Sequence, residues 1–277
     1  MRHSFVDLVT QLWVRVTGRT VELEQHPWLE GPVGDTDVIG ERFFHRWAER
    51  QGFTLDGESA VRGLLPDLRC LDGPRFESAQ LNDQVASFYR ETSRYSFDVT
   101  PEWKGGLRLF ARLVARLFSK RLRQLNVPLS AAEVSGGASS EVFSVQQGER
   151  HLFTAWIRTL RTTGNTLYAG AYSTATIPGH ANPCIKVVFP LPNGSAIVIM
   201  RPDMQEDGSL VLRSEGKRFG DPGFYFYVRK DPAGGVARYV RALQETIHVY
   251  PGEGRQVLAE HTLSFWGHRF LSQKYRM

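Results

Sequence analysis

After about residue 133 the chain is punctuated by short turns that contain glycine, most of them beside Asn or Asp. They are "QQGER" at 146–150, "TGN" at 163–165, "PNGS" at 192–195 and "EDGS" at 206–209. Each lies between runs of β-branched or aromatic residues that alternate with a period of two. Asn-Gly and Asp-Gly supply the positive φ angles of tight hairpins, so the series restricts this region to sequential antiparallel pairing. "GDPGF" at 220–224 suits a type II turn, with Pro222 second and Gly223 third. The spacing predicts strands near 138–146, 150–163, 166–177, 184–191, 195–202, 209–218 and 224–230. A short helix over about 236–244 and a last hairpin, "TIHVY–PGEGR–QVLAEHTLSFW", follow. About nine strands in sequence twist and curl rather than stay flat, either closing on themselves or wrapping the segment before them.

That segment reads as helical. "DTDVIGERFFHRWAERQGF" at 35–53 places Val38, Phe43, Phe44 and Trp47 at helical spacing and stops near Gly52. "LNDQVASFYRETSRY" at 81–95 puts Leu81, Val85, Phe88 and Tyr89 on one face, with Asn82 or Ser78 as cap. Further helices are expected over about 5–16 and from about 107 to 125, and 53–77 reads as loop-rich. The fold class expected is therefore α+β: N-terminal helices, then a long, curved antiparallel meander able to curl or partly close. One domain over 1–277 is expected, helical to about 130 and β from about 133. No period of 20–50 residues repeats, which disfavours a solenoid or propeller.

With 42% hydrophobic and 23% charged residues the chain is globular in composition. A formal charge of +5 allows an acidic partner without requiring one. Cys70 and Cys184 stand apart with no zinc-ligand spacing; two isolated thiols suit a reducing cytoplasm, and no metal is expected. No dinucleotide or phosphate loop, zinc-protease helix, esterase elbow or calcium loop is present, and no cofactor is expected.

Three stretches, "VASFYRETSRYSFDV" at 85–99, "ARLFSKRLRQLNVP" at 115–128 and "AWIRTL" at 155–160, carry a resemblance. They resemble a bacterial domain family sometimes fused to saccharopine-dehydrogenase-like proteins. The likeness spans roughly 83–277, with Asn126-Val127-Pro128 standing where that pattern has a Gly-Leu-Pro-like step. It implies a bacterial protein and transfers neither an activity nor a catalytic residue.

Candidate functional residues come from charge placement. Arg108, Arg112, Arg116 and Lys120 recur every four residues beside Leu109, Leu113 and Leu117, a helix cationic on one face and apolar on the other. Such a helix suits an anionic membrane surface, placing the protein peripheral to the inner membrane face. Phosphates of nucleic acid are less favoured because no recognised nucleic-acid module accompanies the stripe. Equally, its apolar face could dock on the sheet and leave the arginines solvated. If Asn193-Gly194 is a two-residue turn, Lys186 faces Arg201; a similar Asp207-Gly208 turn sets Ser214 beside Arg201. That row would bind an anion, or else point two cations to solvent. In the last hairpin Glu245 can fall opposite His261, an acid–base pair or a structural one. Arg158, between Trp156 and Leu160, is a further ligand candidate or a surface cation. The function expected is the binding of a small, largely apolar ligand, lipid-like with an anionic head. The alternatives are an acid–base enzyme of isomerase or cyclase type acting on that ligand, and a membrane-peripheral interaction protein with a filled core.

Overall fold

In a computed structural model of the chain, residues 5–34, 42–56, 61–65, 67–103, 138–161, 164 and 166–277 are described. The architecture is mostly antiparallel β, with a few helices near the N-terminus. Three α-helices are seen among the described residues: α1 (Phe5–Thr17), α2 (Phe43–Gln51) and α3 (Asp83–Arg90). α2 ends at Gly52, whose φ of 69° lets its N–H and that of Phe53 turn back onto the last carbonyls. α3 starts where the Asn82 side chain accepts the Gln84 N–H at 2.9 Å.

The N-terminal part also supplies strands that hydropathy did not mark: β1 (Arg19–Glu22), β2 (Thr54–Asp56) and β3 (Asp98–Trp103). Then come β4 (Ala138–Gln147), β5 (Arg150–Leu160), β6 (Thr166–Ala175), β7 (Cys184–Leu191), β8 (Gly194–Met204) and β9 (Leu210–Arg213). The series ends with β10 (Gly223–Arg229), β11 (Gly234–Tyr239), β12 (Leu243–Pro251), β13 (Val257–Phe265) and β14 (His268–Arg276). The expected helix over 236–244 is instead the end of β11 and the start of β12. Among the described residues these strands pair antiparallel, in the order β2-β4-β5-β6-β7-β8-β9-β12-β13-β14-β3. β8 forks: its first half pairs with β10, which leads to β11 and β1, and its second half pairs with β9.

The sheet curls without closing. β5 and β14 are seven strands apart in that order, about 34 Å if flat at ~4.8 Å per strand. Yet the Arg158 guanidinium on β5 is 5.4 Å from the Tyr275 ring on β14. The ends of the path, β2 and β3, do not pair with each other.

Alternation gives the curl two packed faces. The inner face carries Trp156, Tyr172, Val187, Val198, Leu212 and Ile247, and the segment from Leu64 to Phe97 fills much of it. α3 contributes Val85, Phe88 and Tyr89 to that filling. A run of ring contacts at 5.1–6.1 Å leads from Phe88 through Phe97, Trp156 and Tyr168 to Phe189. The outer face, with Ile197, Ile199 and Tyr225, is covered by Trp28, Leu29 and the fully buried Phe44.

Two hairpin registers differ from expectation. Leu191 pairs with Gly194, so the β7–β8 turn is Pro192-Asn193, with Asn193 at φ 57°; Lys186 therefore faces Ile199, not Arg201. The β8–β9 loop has three residues, Glu206-Asp207-Gly208, closed by Gln205 N–H to Ser209 O at 3.0 Å, with Gly208 at φ 75°. That one-residue change turns Ser214 away from Arg201, which faces Arg213 instead.

Candidate functional site

β5 reads "RHLFTAWIRTL". Its period of two sends Ala155 and Ile157 to the outer core and turns Trp156 and Arg158 inward. Arg158 is only 4% exposed. Its guanidinium carbon lies 4.4 Å from the centre of the Phe97 ring and 5.4 Å from those of Trp156 and Tyr275. These ring faces give a cation favourable electrostatics, more so where water is excluded. No carboxylate pairs with it among the described residues, and its Nε and Nη2 have no hydrogen-bond partner. Burial lowers its pKa, opposed by the neighbouring Tyr275, Tyr168 and Tyr172. A guanidinium nevertheless keeps its proton in a protein. The result is a buried positive charge with two unused donors.

The sequence "TLYAGAY" in β6 places Tyr168 and Tyr172 on the same face, with Gly170 between them. A Cβ at Gly170 would stand 2.8 Å from the Tyr168 hydroxyl, so only glycine leaves that ring its place. The Tyr168 hydroxyl is buried and makes no hydrogen bond of good geometry. Burial, then the neighbouring Tyr172 and Glu245, raise its pKa well above the usual value, so it remains a donor. Tyr172 and Tyr275 are raised for the same first cause.

The opposite wall comes from β12 to β14. Ile247, not Glu245, is the cross-strand partner of His261. The loop is five residues long, which moves the register by two and keeps both side chains on the inner face. They meet on the diagonal, with Glu245 Oε1 2.5 Å from His261 Nε2, each side chain under a fifth exposed. The angles of this contact are not those of a hydrogen bond. Gln273 stands across from His261 on β14 and accepts the Tyr275 hydroxyl at 3.1 Å. Glu245 is near enough to Tyr168, Tyr172 and Tyr275 to push their pKa values up, and the same three tyrosines act on Arg158.

The other predicted ligand residues lie elsewhere. Lys186 is on the outer face, 8% exposed, and its Nζ donates to the Glu30 carbonyl at 2.8 Å. Burial pulls its pKa down to about 8. Arg201 reaches Asp203 Oδ2 at 3.0 Å, and Arg213 and Arg75 each approach the same carboxylate at 3.4 Å. The like charges of Arg201 and Arg213 are thus bridged by a side chain of the protein itself. The Ser214 hydroxyl is taken up by backbone, accepting the Glu245 N–H at 2.8 Å and facing the Glu245 carbonyl at 3.3 Å. No Lys186–Arg201–Ser214 row exists. Arg108, Arg112, Arg116 and Lys120 lie outside the described residues.

Both cysteines are free, Cys70 exposed and Cys184 buried. Among the described residues no three His, Cys, Asp or Glu side chains gather as a metal-ligand group, and no helix is long and apolar enough to cross a membrane. Comparison of the chain with family models, curated proteins and solved structures finds no match.

Proposed function

We propose that the inner face binds a small, largely apolar molecule with one anionic end, and that Arg158 holds that end. The observation that carries the reading is a buried guanidinium among aromatic rings with Nε and Nη2 unpartnered. A buried charge left in that state is costly. A carboxylate or phosphate offers two acceptors at the spacing of the guanidinium fork, while the rings of Phe97, Trp156 and Tyr168 suit an apolar body. The Tyr168 hydroxyl adds one neutral donor.

Native mass spectrometry of the purified protein tests for a co-purifying ligand. A fluorescent fatty acid and its methyl ester then test the anionic end. Replacing Arg158 by Met keeps an unbranched apolar stem and removes the charged guanidinium. Loss of one charge-assisted pairing of about 1.5–3 kcal/mol weakens the acid by about 10- to 150-fold and leaves the ester unchanged. Equal weakening of both probes refutes the role of the charge.

The Glu245–His261 contact beside the same tyrosines favours a second reading, an acid–base enzyme acting on that ligand. Chromatography of ligand extracted from wild type and from His261→Gln distinguishes the two. Identical material from both proteins supports binding alone, and two isomers of one mass support catalysis.

A further inference from the structure

α1 lies on the sheet with its polarity reversed. A surface helix ordinarily turns its apolar stripe to the core and its polar side to water. Here Gln11 and Val14 are the buried residues, and Gln11 Nε2 donates to the Pro192 carbonyl at 3.1 Å. Leu8, Val9, Leu12, Trp13 and Val16 are between 39% and 73% exposed. At ~100° per residue these five side chains fall within an arc of about 140°.

The helix is nonetheless firmly attached. Trp13 packs edge-on to Phe226 of β10 at 6.0 Å between centroids. Arg238 of β11 donates to the Thr17 carbonyl at 2.7 Å, with its guanidinium 5.8 Å from the Trp13 ring. A side chain at Gly18 would collide with the Val14 and Ala237 carbonyls, so a close backbone passage sets the angle between α1 and β1. The protein therefore holds an apolar stripe outward in a fixed orientation.

We infer that α1 is a docking surface for an anionic lipid bilayer, lying in the interface with Leu8, Leu12 and Val16 in the acyl boundary. Two features select this occupant. Arg15 and Arg19 are exposed at the C-terminal end of the stripe, with Arg238 beside Trp13, where lipid phosphates would lie. The stripe is also too narrow for a stable protein interface, which takes about 20–30 residues from each partner. An interfacial helix needs only one such stripe. The inference stands independently of the Arg158 site and of the basic stretch containing Arg108, Arg112 and Arg116.

The test is co-sedimentation of the full chain with vesicles of phosphatidylcholine, alone or with about one third phosphatidylglycerol. The inference expects binding to the anionic vesicles, weakening as salt rises, with a blue shift of tryptophan emission. Leu12→Ser combined with Val16→Ser alters two exposed side chains; it is expected to leave thermal unfolding unchanged and to reduce the bound fraction at least about tenfold. Arg15→Gln with Arg19→Gln should weaken binding to the anionic vesicles and flatten its salt dependence. Absence of wild-type binding overturns the inference. Unchanged binding by the double serine variant also overturns it, placing any lipid contact elsewhere, including the basic stretch. A wild-type dimer that becomes monomeric in that variant, with no vesicle binding by either, assigns the stripe to a second copy instead.

Discussion

Lys186→Met probes the outer face directly. Glu30 and Gly31 lie against β7 so closely that a Cβ on Gly31 would press on Val188, and Lys186 Nζ donates to the Glu30 carbonyl. Burial brings the folded pKa from 10.5 to about 8. Between those two values the unfolded lysine keeps a proton that the folded one has released. Raising the pH through that window therefore stabilises the native state of the wild type. The full depression corresponds to about 3 kcal/mol, most of it gained between about pH 7 and pH 10. Methionine fills similar space and carries no charge, so the variant lacks this gain. At about pH 7 it should be at least as stable as the wild type, because it loses one hydrogen bond and no longer buries a cation. At about pH 10 the wild type should have gained roughly 2–3 kcal/mol relative to the variant. Urea unfolding of both proteins at the two pH values measures the difference, and other titrating groups cancel in the comparison. Parallel pH dependences would refute the reasoning. Ligand binding on the inner face should be unaffected, the opposite of what an anion row through Lys186 requires.

Three further outcomes follow from packing. Phe44→Ala removes a fully buried ring that joins α2 to Phe143 and Phe153, and should lower stability by about 3–5 kcal/mol in chemical denaturation. Gly63→Ala would drive a methyl group into the Tyr89 carbonyl and the Arg90 backbone at the end of α3; a loss of about 1–3 kcal/mol is expected, with greater exchange of the α3 amides. Gly170→Ala should displace the Tyr168 ring and weaken a fatty-acid probe while changing thermal unfolding less than Phe44→Ala does.

Most of the meander was legible because its turns are chemically explicit. Gly148 and Gly208 adopt the positive φ that their turns need; β4, β5 and β8 lie close to the expected spans, whereas β9 stops at Arg213, short of the expected 218. β14 was missed for the converse reason. Its turn is Trp266-Gly267, with Trp266 at φ 51° where Asn or Asp is the usual occupant, and "HRFLSQKYR" alternates weakly. The stretch 236–244 satisfies a helical period as well as a strand one, and flanking β10 and β1 decide in favour of β11. For the site, "TLYAGAY" already contained the signal that two tyrosines share a face. No local pattern could bring Arg158 to Tyr275, since that contact exists only once the eight strands from β5 to β14 have curled. The Lys186–Arg201 and Ser214 placements failed at the turns: Pro192 takes part in one loop, and the other is a residue longer than Asp-Gly alone suggests.

Because early strands are stitched to late ones, translation imposes a long wait on this chain. β1 emerges first but pairs with β11, about 210 residues later, and β3 must await β14. At ~5–20 residues per second the first strand spends roughly 10–40 s without its partner. Throughout that interval β1 carries unpaired backbone N–H and C=O groups, and α1 has no β10 or β11 to rest on. A nascent chain of this design is a natural client for holding chaperones, and slowing its synthesis would lengthen the exposure rather than help it fold.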